Sequence, residues 1–289
     1  MNPLASHASG LLVFGARGYL GQSILGRYPS ARGCSLDIAD RAAVASELDA
    51  IAPSVVINCA GKTGRPNVDW CEDHKPQTLR ANVTGPLVLL EECLRRGIYL
   101  VHFSSGCIYQ GDNAGQGWSE SDPPNYYGSF YSRTKAWSDQ MLAEFPVLVL
   151  RLRMPFDGTT AERNLIMKIR KYNRLLTEPN SITYLPDLLQ VLDTLMTRRA
   201  TGVYNVVNPG AISPYEIMQM YREVIDPSVC FEPLELHHLG QLTRAGRSNC
   251  LLNTAKLQRE GLILAPVREA LQQALLQLRE QLFQPVPAV

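Results

Sequence analysis

The chain has 289 residues, of which 45% are hydrophobic and 19% are charged, and its formal net charge is +1. This composition is typical of a globular protein with one large domain or two smaller ones. The near-zero charge gives no electrostatic reason to expect binding to nucleic acid or to an anionic membrane, and no apolar run reaches the roughly 18 residues that a membrane-spanning helix needs.

The first half of the chain alternates apolar strands with helices. Strands are predicted at 11–15, 54–61, 98–105 and 147–154. Helices are predicted after the glycine-rich turn that begins at residue 15, and at 41–51, about 75–96 and 130–145. This alternation is typical of an α/β fold with a Rossmann-type, doubly wound parallel sheet. In such sheets ligands bind at the carboxyl ends of the strands.

After Pro155 the pattern changes to fewer strands and a less regular alternation. Helices are predicted at 164–176, 185–199, 213–225 and 266–281, and a strand at 202–210. We therefore expect a dinucleotide-binding domain over residues 1–155, with a returning segment at about 186–208. A smaller, mainly helical substrate lobe is expected over 156–185 and 209–289.

The seven cysteines are scattered singly, without a CxxC motif or a Cys/His cluster. This spacing predicts neither a disulfide framework nor a metal site such as a structural zinc. The first ten residues, MNPLASHASG, lack the basic start and apolar core of a signal peptide. We expect a cytoplasmic protein with reduced thiols, in which Cys59, Cys93 and Cys230 are small core residues.

Gly15, Gly18 and Gly21 form a G-x-x-G-x-x-G motif between the first strand and the following helix. Glycines at this spacing allow a tight turn and a close approach of the backbone to a pyrophosphate at a helix N-terminus. The motif is weak by itself, but here it has the strand–turn–helix context that a dinucleotide site requires. Tyr19 and Leu20, at the start of the helix, are expected to contact the same cofactor.

Two side chains bear on which nicotinamide cofactor is bound. Asp37 lies where a carboxylate reads the adenosine ribose, whereas Arg17 in the glycine loop can hold the 2′-phosphate of NADP. Arg17 favours NADPH; the alternatives are a solvated surface arginine and NAD as the cofactor. A helix-capping role fits Asp40 better than Asp37. Further cofactor contacts are expected at Ile38, Ala60, Gly61 and Pro155.

Tyr131 and Lys135 are spaced i, i+4, which places both on one face of the helix predicted at 130–145. A nearby ammonium favours phenolate and lowers the pKa of a tyrosine, so Tyr131 can pass a proton to a carbonyl oxygen while a nicotinamide delivers hydride. Ser105, at the end of the preceding strand, can hydrogen-bond the same oxygen. Together with the glycine loop, these residues predict a reductase site.

This conjunction of motifs resembles the extended short-chain dehydrogenase/reductase family over nearly the whole chain. The resemblance sharpens in TGRPNVDWCEDHK (63–75), SSGCIY (104–109), GSFYSRTKA (128–136), LRLRMP (150–155), YNVVNPGAIS (204–213) and RSN (247–249). These segments are similar to the bifunctional nucleotide-sugar 3,5-epimerase/4-reductases of L-rhamnose synthesis, and more distantly to dTDP-4-dehydrorhamnose reductases. Ser105 stands where the plant enzymes have threonine, a change that keeps the hydroxyl. Arg17 in the glycine loop also stands where they have threonine, so the cofactor preference is not carried over.

The resemblance implies an NDP-4-keto-6-deoxyhexose substrate, whose C3 and C5 protons are acidic because they flank the C4 ketone. Inverting each carbon needs a base on one face and an acid on the other. The resemblance gives this pair of roles to Cys107 and Lys168. The alternatives are a packed thiol at Cys107 and a solvated helical face at Lys168. A catalytic lysine needs a pKa that is lowered by burial or by a nearby cation, and Arg170 and Lys171 are close to Lys168 in sequence.

The loop at 63–71 follows a strand and is expected to line the sugar pocket. The candidate substrate contacts, besides Cys107 and Lys168, are Thr63, Asn67, Asp69, Asn164 and Arg247. Arg247 is the candidate for gripping the diphosphate, since a guanidinium can do so bidentately; the alternative is a surface charge. His102, in a buried strand, is interpreted as a hydrogen-bonded core histidine.

Three functions fit this pattern. The first is an NADPH-dependent enzyme that epimerises C3 and C5 and then reduces C4, and the second is a 4-ketoreductase without epimerisation. The third is a non-catalytic, NADP-binding regulatory subunit, against which the intact Tyr131 and Lys135 argue. The nucleotide of the sugar substrate stays open between UDP, dTDP and another nucleotide, and a homodimer is one alternative for the oligomeric state.

Overall fold

The computed structural model of the protein describes residues 10–240 and 242–283. Residues 1–9, which carry the argument about a signal peptide, and residues 284–289 of the expected substrate lobe lie outside the described residues. Among the described residues, no helix is both long enough and apolar enough to cross a membrane.

The chain alternates strands and helices throughout. The strands are β1 (Leu11–Phe14), β2 (Arg32–Cys34), β3 (Val55–Asn58), β4 (Tyr99–Ser105), β5 (Leu148–Leu152), β6 (Pro155–Phe156), β7 (Arg174–Leu176), β8 (Thr183–Tyr184), β9 (Gly202–Asn205) and β10 (Glu232–Leu234). The α-helices are α1 (Tyr19–Arg27), α2 (Arg41–Ile51), α3 (Trp70–Asp73), α4 (Lys75–Leu79), α5 (Gly85–Arg96), α6 (Phe130–Ala143), α7 (Leu165–Ile169), α8 (Leu185–Thr197), α9 (Pro214–Val224), α10 (Leu236–Leu239), α11 (Ala255–Arg259) and α12 (Val267–Phe283).

Six strands form one parallel sheet in the spatial order β2-β1-β3-β4-β5-β9. The order reverses between β1 and β3, so the loops after these two strands diverge at the carboxyl edge of the sheet. Doubly wound sheets bind their ligands at such a reversal. The predicted Rossmann-type parallel sheet is therefore confirmed.

Alternate residues of β1 supply the two apolar cores of the sheet. Leu11 and Val13 pack in one core with residues of α1 and α8, and Leu12 and Phe14 pack in the other with residues of α2 and α5. Because helices cover both faces, all four residues of β1 are buried. This explains why the strand reads as a continuous apolar run rather than as an alternating one.

A separate core lies beyond the sheet. It is formed mainly by α7, α9 and α12, with residues of β6, β7 and β8; its members include Phe156, Ile166, Leu175, Tyr221 and Leu271. Helix α8 and strand β9, although they come later in the chain than α7, belong to the sheet and its first core.

The helix expected at about 75–96 is present in three parts. Between α4 and α5 the chain makes a π-helical turn at Arg80–Thr84. Asn82 in this turn is buried; its side-chain oxygen accepts the Lys62 N–H (2.7 Å), and its side-chain nitrogen donates to the Lys62 carbonyl (3.0 Å). Such turns occur often at functional sites. Through Asn82, this turn holds the loop that follows β3 in place with two hydrogen bonds.

The prediction of one helix over 164–176 is wrong. Helix α7 ends at Ile169, and Arg174–Leu176 forms β7, which pairs in parallel with β10. The segment has a helical pattern, but it pairs with a strand that lies far along the chain. Local propensity does not predict such a tertiary contact. The strand expected at 202–210 is also shorter, because β9 ends at Asn205.

Candidate active site

Three loops meet at the carboxyl edge of the sheet. The glycine loop follows β1, a 3₁₀ turn at Gly106–Ile108 follows β4, and the segment 153–155 follows β5. Ser105 is in register with Leu152, so the second and third loops leave the sheet side by side. Helix α6 packs against β4 and β5 and carries Tyr131 and Lys135.

The glycine loop fits a dinucleotide pyrophosphate. Gly15 has φ +76°, and a Cβ there would lie 2.5 Å from the backbone nitrogen of Ala60, so no other residue fits this turn. A Cβ on Gly21 would lie 2.3 Å from the Gly15 carbonyl oxygen. Helix α1 begins at Tyr19, directly after the loop. Because the first N–H groups of a helix lack intrahelical acceptors, they form an anion-binding site at this point.

Asp37 is paired with Arg80, a residue that the sequence analysis missed. Arg80 Nε donates to Asp37 Oδ2 (2.8 Å), and the Ala39 N–H donates to Oδ1 (3.0 Å). The Arg80 guanidinium is the main cause of a lowered pKa at Asp37. Arg17 is exposed in the glycine loop. Asp40 caps α2 by accepting the Ala43 N–H (3.1 Å), as predicted.

The other expected cofactor contacts differ in their surroundings. Ile38 is only 2% exposed and belongs to the core that β1 forms with α2 and α5, so its side chain is not available as a cofactor contact. Leu20 is partly buried against the opposite core. Burial and the Asp157 carboxylate raise the pKa of Tyr19. Ala60 and Gly61 lie in the loop after β3, and Pro155 is the first residue of β6; their contacts with a cofactor stay predictions.

Ser105 and Cys107 are held together in one turn. The Ser105 hydroxyl caps the 3₁₀ turn by accepting the Cys107 N–H at 3.1 Å. Ser105 is buried, whereas Cys107 is half-buried. The end of β4 therefore presents a hydroxyl and a thiol at the same edge of the sheet, two residues apart.

Tyr131 and Lys135 are buried on α6, but their electrostatics differ from the prediction. Burial raises the pKa of Tyr131, and the groups that favour its phenolate are the Ser105 hydroxyl and the Arg153 guanidinium. The expectation that Lys135 lowers the Tyr131 pKa is not met. Lys135 Nζ instead donates to the Phe103 carbonyl (3.0 Å), and burial lowers its own pKa to about 8.

Arg153 is the second site residue that the sequence analysis missed. Its guanidinium donates to Cys107 Sγ (2.9 Å), to the hydroxyl (3.1 Å) and carbonyl (3.1 Å) of Ser248, and to the side-chain oxygen of Asn180. It is 2% exposed. A signal was present in LRLRMP, where a charged residue directly follows a buried strand.

Lys168 has a lowered pKa, for which the sequence analysis named burial or a nearby cation as the cause. Burial is the main cause, followed by the Arg163 guanidinium, and Arg247 acts in the same direction. A negative charge on Cys107 would act in the opposite direction. The cations named from the sequence, Arg170 and Lys171, are exposed and do not contribute, because a helix of one turn points neighbouring residues in different directions.

The loop after β3 is tied to the second half of the chain by two arginines. Arg247 donates to the Asp69 carboxylate (2.9 Å), and Arg163 donates to the Gly64 carbonyl (3.0 Å) and, at 3.5 Å, to the Thr63 hydroxyl. Asp69 and Arg247, which were expected to contact different parts of a substrate, therefore contact each other. The pairing brings both to the same wall of one cavity.

That cavity has a volume of about 570 Å³. One end is lined by polar and charged side chains, and the other end by apolar ones. The polar lining includes Asn67, Asp69, Arg163, Lys168, Arg247 and Ser248, and the apolar lining includes Leu175, Leu176, Leu234 and Leu239. Ser248 also contacts Arg153, which in turn contacts Cys107, so the polar end adjoins the turn after β4.

The expectation that Asn164 contacts the substrate is wrong. Asn164 is fully buried and caps α7: its oxygen accepts the Ile166 N–H, and its nitrogen donates to Asp157 and Thr159, so it does not line the cavity. Thr63 is exposed beside Arg163, so its contact with a substrate stays a prediction.

Two interpretations of single residues are also corrected. His102 is buried and its pKa is lowered by burial, but only Nδ1 has a partner, the Asn58 side chain at 3.0 Å. Nε2 has no partner among the described residues, so the histidine is only half satisfied. Cys93 is buried as expected and Cys59 is half-buried, whereas Cys230 is exposed and not a core residue.

Comparison with known proteins gives matches over most of the chain. The family model of the RmlD substrate binding domain matches residues 9–280. A bifunctional dTDP-4-dehydrorhamnose 3,5-epimerase/dTDP-4-dehydrorhamnose reductase from Arabidopsis thaliana is 39% identical over 282 residues, covering 93% of each chain. A trifunctional UDP-glucose 4,6-dehydratase/UDP-4-keto-6-deoxy-D-glucose 3,5-epimerase/UDP-4-keto-L-rhamnose-reductase from the same plant is 38% identical over 272 residues, and this chain spans 41% of its length.

Solved structures agree with the architecture. The L780 UDP-rhamnose synthase from Acanthamoeba polyphaga mimivirus superposes with a TM-score of 0.87 at 30% identity, covering 92% of this chain and 98% of that one. A dTDP-4-dehydrorhamnose reductase from Bacillus anthracis, solved in complex with NADP, gives a TM-score of 0.79 at 21% identity, covering 91% and 96%. At that identity the second likeness concerns the fold.

Proposed function

The chain belongs to the RmlD substrate-binding-domain family, and on that premise we propose that it is a nucleotide-sugar 3,5-epimerase/4-reductase. The proposed substrate is an NDP-4-keto-6-deoxyglucose, the reductant is NADPH, and the product is NDP-L-rhamnose or a close 6-deoxysugar. The Arabidopsis bifunctional enzyme and the mimivirus UDP-rhamnose synthase support this class of reaction. The first name includes dTDP and the second includes UDP, so the experiment uses both nucleotides.

One contact carries the proposal. The Ser105 hydroxyl accepts the Cys107 N–H at 3.1 Å, so the group that a ketoreductase needs and a thiol share one turn. A reductase has no use for a thiol next to the carbonyl, whereas an epimerase that acts beside the same carbonyl needs a base there. The neighbours of the Cys107 thiol are the buried Arg153 guanidinium and, across the site, Lys168, whose pKa is lowered.

For reduction, Tyr131 is the proposed acid. Its raised pKa keeps the phenol protonated near neutral pH, so it can give its proton to the C4 oxygen as negative charge develops there. The Ser105 hydroxyl stabilises the same oxygen. The nicotinamide, when bound, supplies the hydride to C4. Lys135 uses one of its three N–H groups for the Phe103 carbonyl and has two left for the cofactor ribose and the phenol.

For epimerisation, Cys107 and Lys168 are the proposed pair. The Cys107 thiolate takes the proton from C3 or C5 and becomes a thiol, while the electron pair moves to the C4 oxygen as an enolate. The Lys168 ammonium then returns a proton to the other face of the same carbon and becomes an amine. Transfer of the proton from thiol to amine through water restores the pair. The lowered pKa of Lys168 makes its ammonium a stronger acid for this step.

We also propose that the protein has a cofactor-binding part and a substrate-binding part. The sheet with its glycine loop would hold the cofactor, and the cavity lined by Lys168 and Arg247 would hold the nucleotide sugar. Arg163, Lys168 and Arg247 place three cations at the polar end of the cavity, which suits a diphosphate. Asp69 accompanies Arg247 and orients its guanidinium.

The experiment is incubation in D₂O with NADPH and either UDP- or dTDP-4-keto-6-deoxyglucose, followed by NMR of the product. We expect deuterium at C3 and C5 and the L-rhamno configuration. The matched variant Tyr131→Phe should still exchange both protons but should not reduce C4. Reduction of C4 without any deuterium at C3 or C5 would identify a 4-ketoreductase, and binding of NADPH without oxidation by either sugar would identify a regulatory subunit.

A further inference from the structure

Arg153 is a buried cation that pairs with no carboxylate in the described part of the chain. Its large side chain is almost fully buried, and its four contacts are a thiol, a hydroxyl, a carbonyl and an amide oxygen. Arg151, two residues earlier, shows the usual arrangement: it is equally buried and is paired with the Asp139 carboxylate at 2.6 Å. No salt bridge to Arg153 occurs within residues 10–240 and 242–283.

A buried guanidinium remains charged, and burial without a counter-charge is costly. The anion has to come from a group that Arg153 touches or from a ligand. Three titratable groups favour its charge when they are negative: Cys250, Cys107 and Tyr131. Burial raises the pKa of Cys250 and of Tyr131, which keeps both protonated. Cys107 is half-buried and in direct contact with the guanidinium.

The backbone beside Arg153 is shaped for this contact. A Cβ on Gly106 would lie 2.8 Å from both Cγ and Cδ of Arg153, so only glycine lets the arginine stem pass beneath the turn. The Asn180 side-chain oxygen and the Ser248 carbonyl accept from Nη2 and fix the other edge of the guanidinium. Arg153 is therefore held from three sides, with its Nη1 aimed at the sulfur of Cys107.

The charged and titratable groups around Cys107 come from several elements. They are Arg153 after β5, Tyr131 and Lys135 on α6, Lys168 on α7, Tyr126 before α6, and Cys250. Three of the six are cations and none is a carboxylate. All three cations favour a negative sulfur, and Arg153 is the one in hydrogen-bond contact.

We propose that Arg153 is a positioning residue that holds Cys107 as a thiolate and is itself charge-balanced by it. The sulfur is thereby ready to accept a proton at neutral pH without a separate base. That this thiolate serves epimerisation rests on the proposed function, whereas its existence does not. The pair is a property of the protein without sugar or cofactor, and it can be tested in that state.

The test measures the rate of alkylation of Cys107 by iodoacetamide between pH 6.5 and 8.5, read by peptide mass mapping. An ordinary thiol gains about 50-fold in thiolate, and hence in rate, over this interval. We expect the rate at Cys107 in the unmodified protein to rise by less than about fivefold. Cys230, which is exposed, is the internal reference in the same sample. A rise at Cys107 that parallels an ordinary thiol overturns the proposal, and this measurement needs no variant.

The variants Arg153→Gln and Arg153→Lys separate charge from packing. At pH 6.5, Arg153→Gln should slow alkylation of Cys107 about tenfold and make its pH dependence steep, while Arg153→Lys should retain part of the effect. Arg259→Gln, at an exposed arginine outside the site, is the matched control and should change neither. If folded Arg153→Gln, with Cys230 alkylated at its normal rate, has an unchanged Cys107 profile, Arg153 does not hold the thiolate. With sugar and NADPH present, Arg153→Gln should slow deuterium exchange at C3 and C5 more than reduction of a pre-epimerised 4-keto sugar.

Discussion

The lowered pKa of Lys135 predicts how reduction depends on pH. Burial lowers this pKa to about 8, whereas a lysine in the unfolded chain titrates near pH 10.4. The ammonium fraction of Lys135 is then about nine tenths at pH 7 and about one tenth at pH 9. Since only the ammonium has three donors, enough for the Phe103 carbonyl, the cofactor ribose and the phenol together, the reduction rate should fall about tenfold between these pH values. Tyr131 does not cause this fall, because its pKa is raised.

The assay follows NADPH oxidation by absorbance with saturating cofactor and a pre-epimerised NDP-4-keto-L-rhamnose, so that epimerisation does not contribute. Circular dichroism at each pH establishes that the protein stays folded. Lys135→Arg, whose charge persists across the range, should be slower but should show no decline from pH 7 to 9. Lys256→Met is the matched control, since it removes another lysine with a lowered pKa that lies outside the site, and it should keep the wild-type profile. A flat or rising profile in the wild-type protein would refute the reasoning.

Three further predictions concern single residues. Cys107→Ala should leave reduction of a pre-epimerised sugar within about twofold and slow deuterium exchange at C3 and C5 by at least about 100-fold, measured by NMR; survival of both activities would make the thiol a packing residue. Arg80→Gln frees the Asp37 carboxylate to repel a 2′-phosphate, so the ratio of kcat/KM for NADPH to that for NADH should fall about tenfold, and an unchanged ratio would count against this pairing. Gly15→Ala forces a Cβ to within 2.5 Å of the Ala60 nitrogen and should weaken NADPH binding by tenfold or more. The affinity is measured by fluorescence titration, and a wild-type value would contradict the role given to the glycine loop.

The arrangement of charge explains how two chemistries could share one site. Reduction needs a proton donor beside the C4 oxygen, and the raised pKa of Tyr131 suits that need. Epimerisation needs a base nearby, and the cations around Cys107 suit a negative sulfur. Ser105 contacts both: its hydroxyl accepts the N–H of Cys107, and it is one of the groups that favour the Tyr131 phenolate. Two environments of opposite character, one on α6 and one in the turn after β4, therefore adjoin at Ser105.

The parts of the protein that could be predicted from sequence depend on local geometry. The buried strand, glycine turn and helix at 11–27 are specified by neighbouring residues, because glycine alone permits the turn at Gly15 and the apolar run sets the strand. The helical period places Tyr131 and Lys135 on one face of α6, and the end of β4 places Ser105 and Cys107 at the edge of the sheet. The parallel sheet itself follows from the alternation of strands and helices.

Only the tertiary structure decided which distant residues meet and how burial changes their charge. Arg153 touches Cys107 because β5 pairs with β4, and Arg163 and Arg247 act on Lys168 because two separate segments fold over the same cavity. The strand β7 exists because β10 pairs with it, which no local pattern reveals. A pKa depends on desolvation and on nearby charges, and both are set by residues far apart in the chain, so the sequence could name Lys135 and Lys168 but not the state of their ammonium groups.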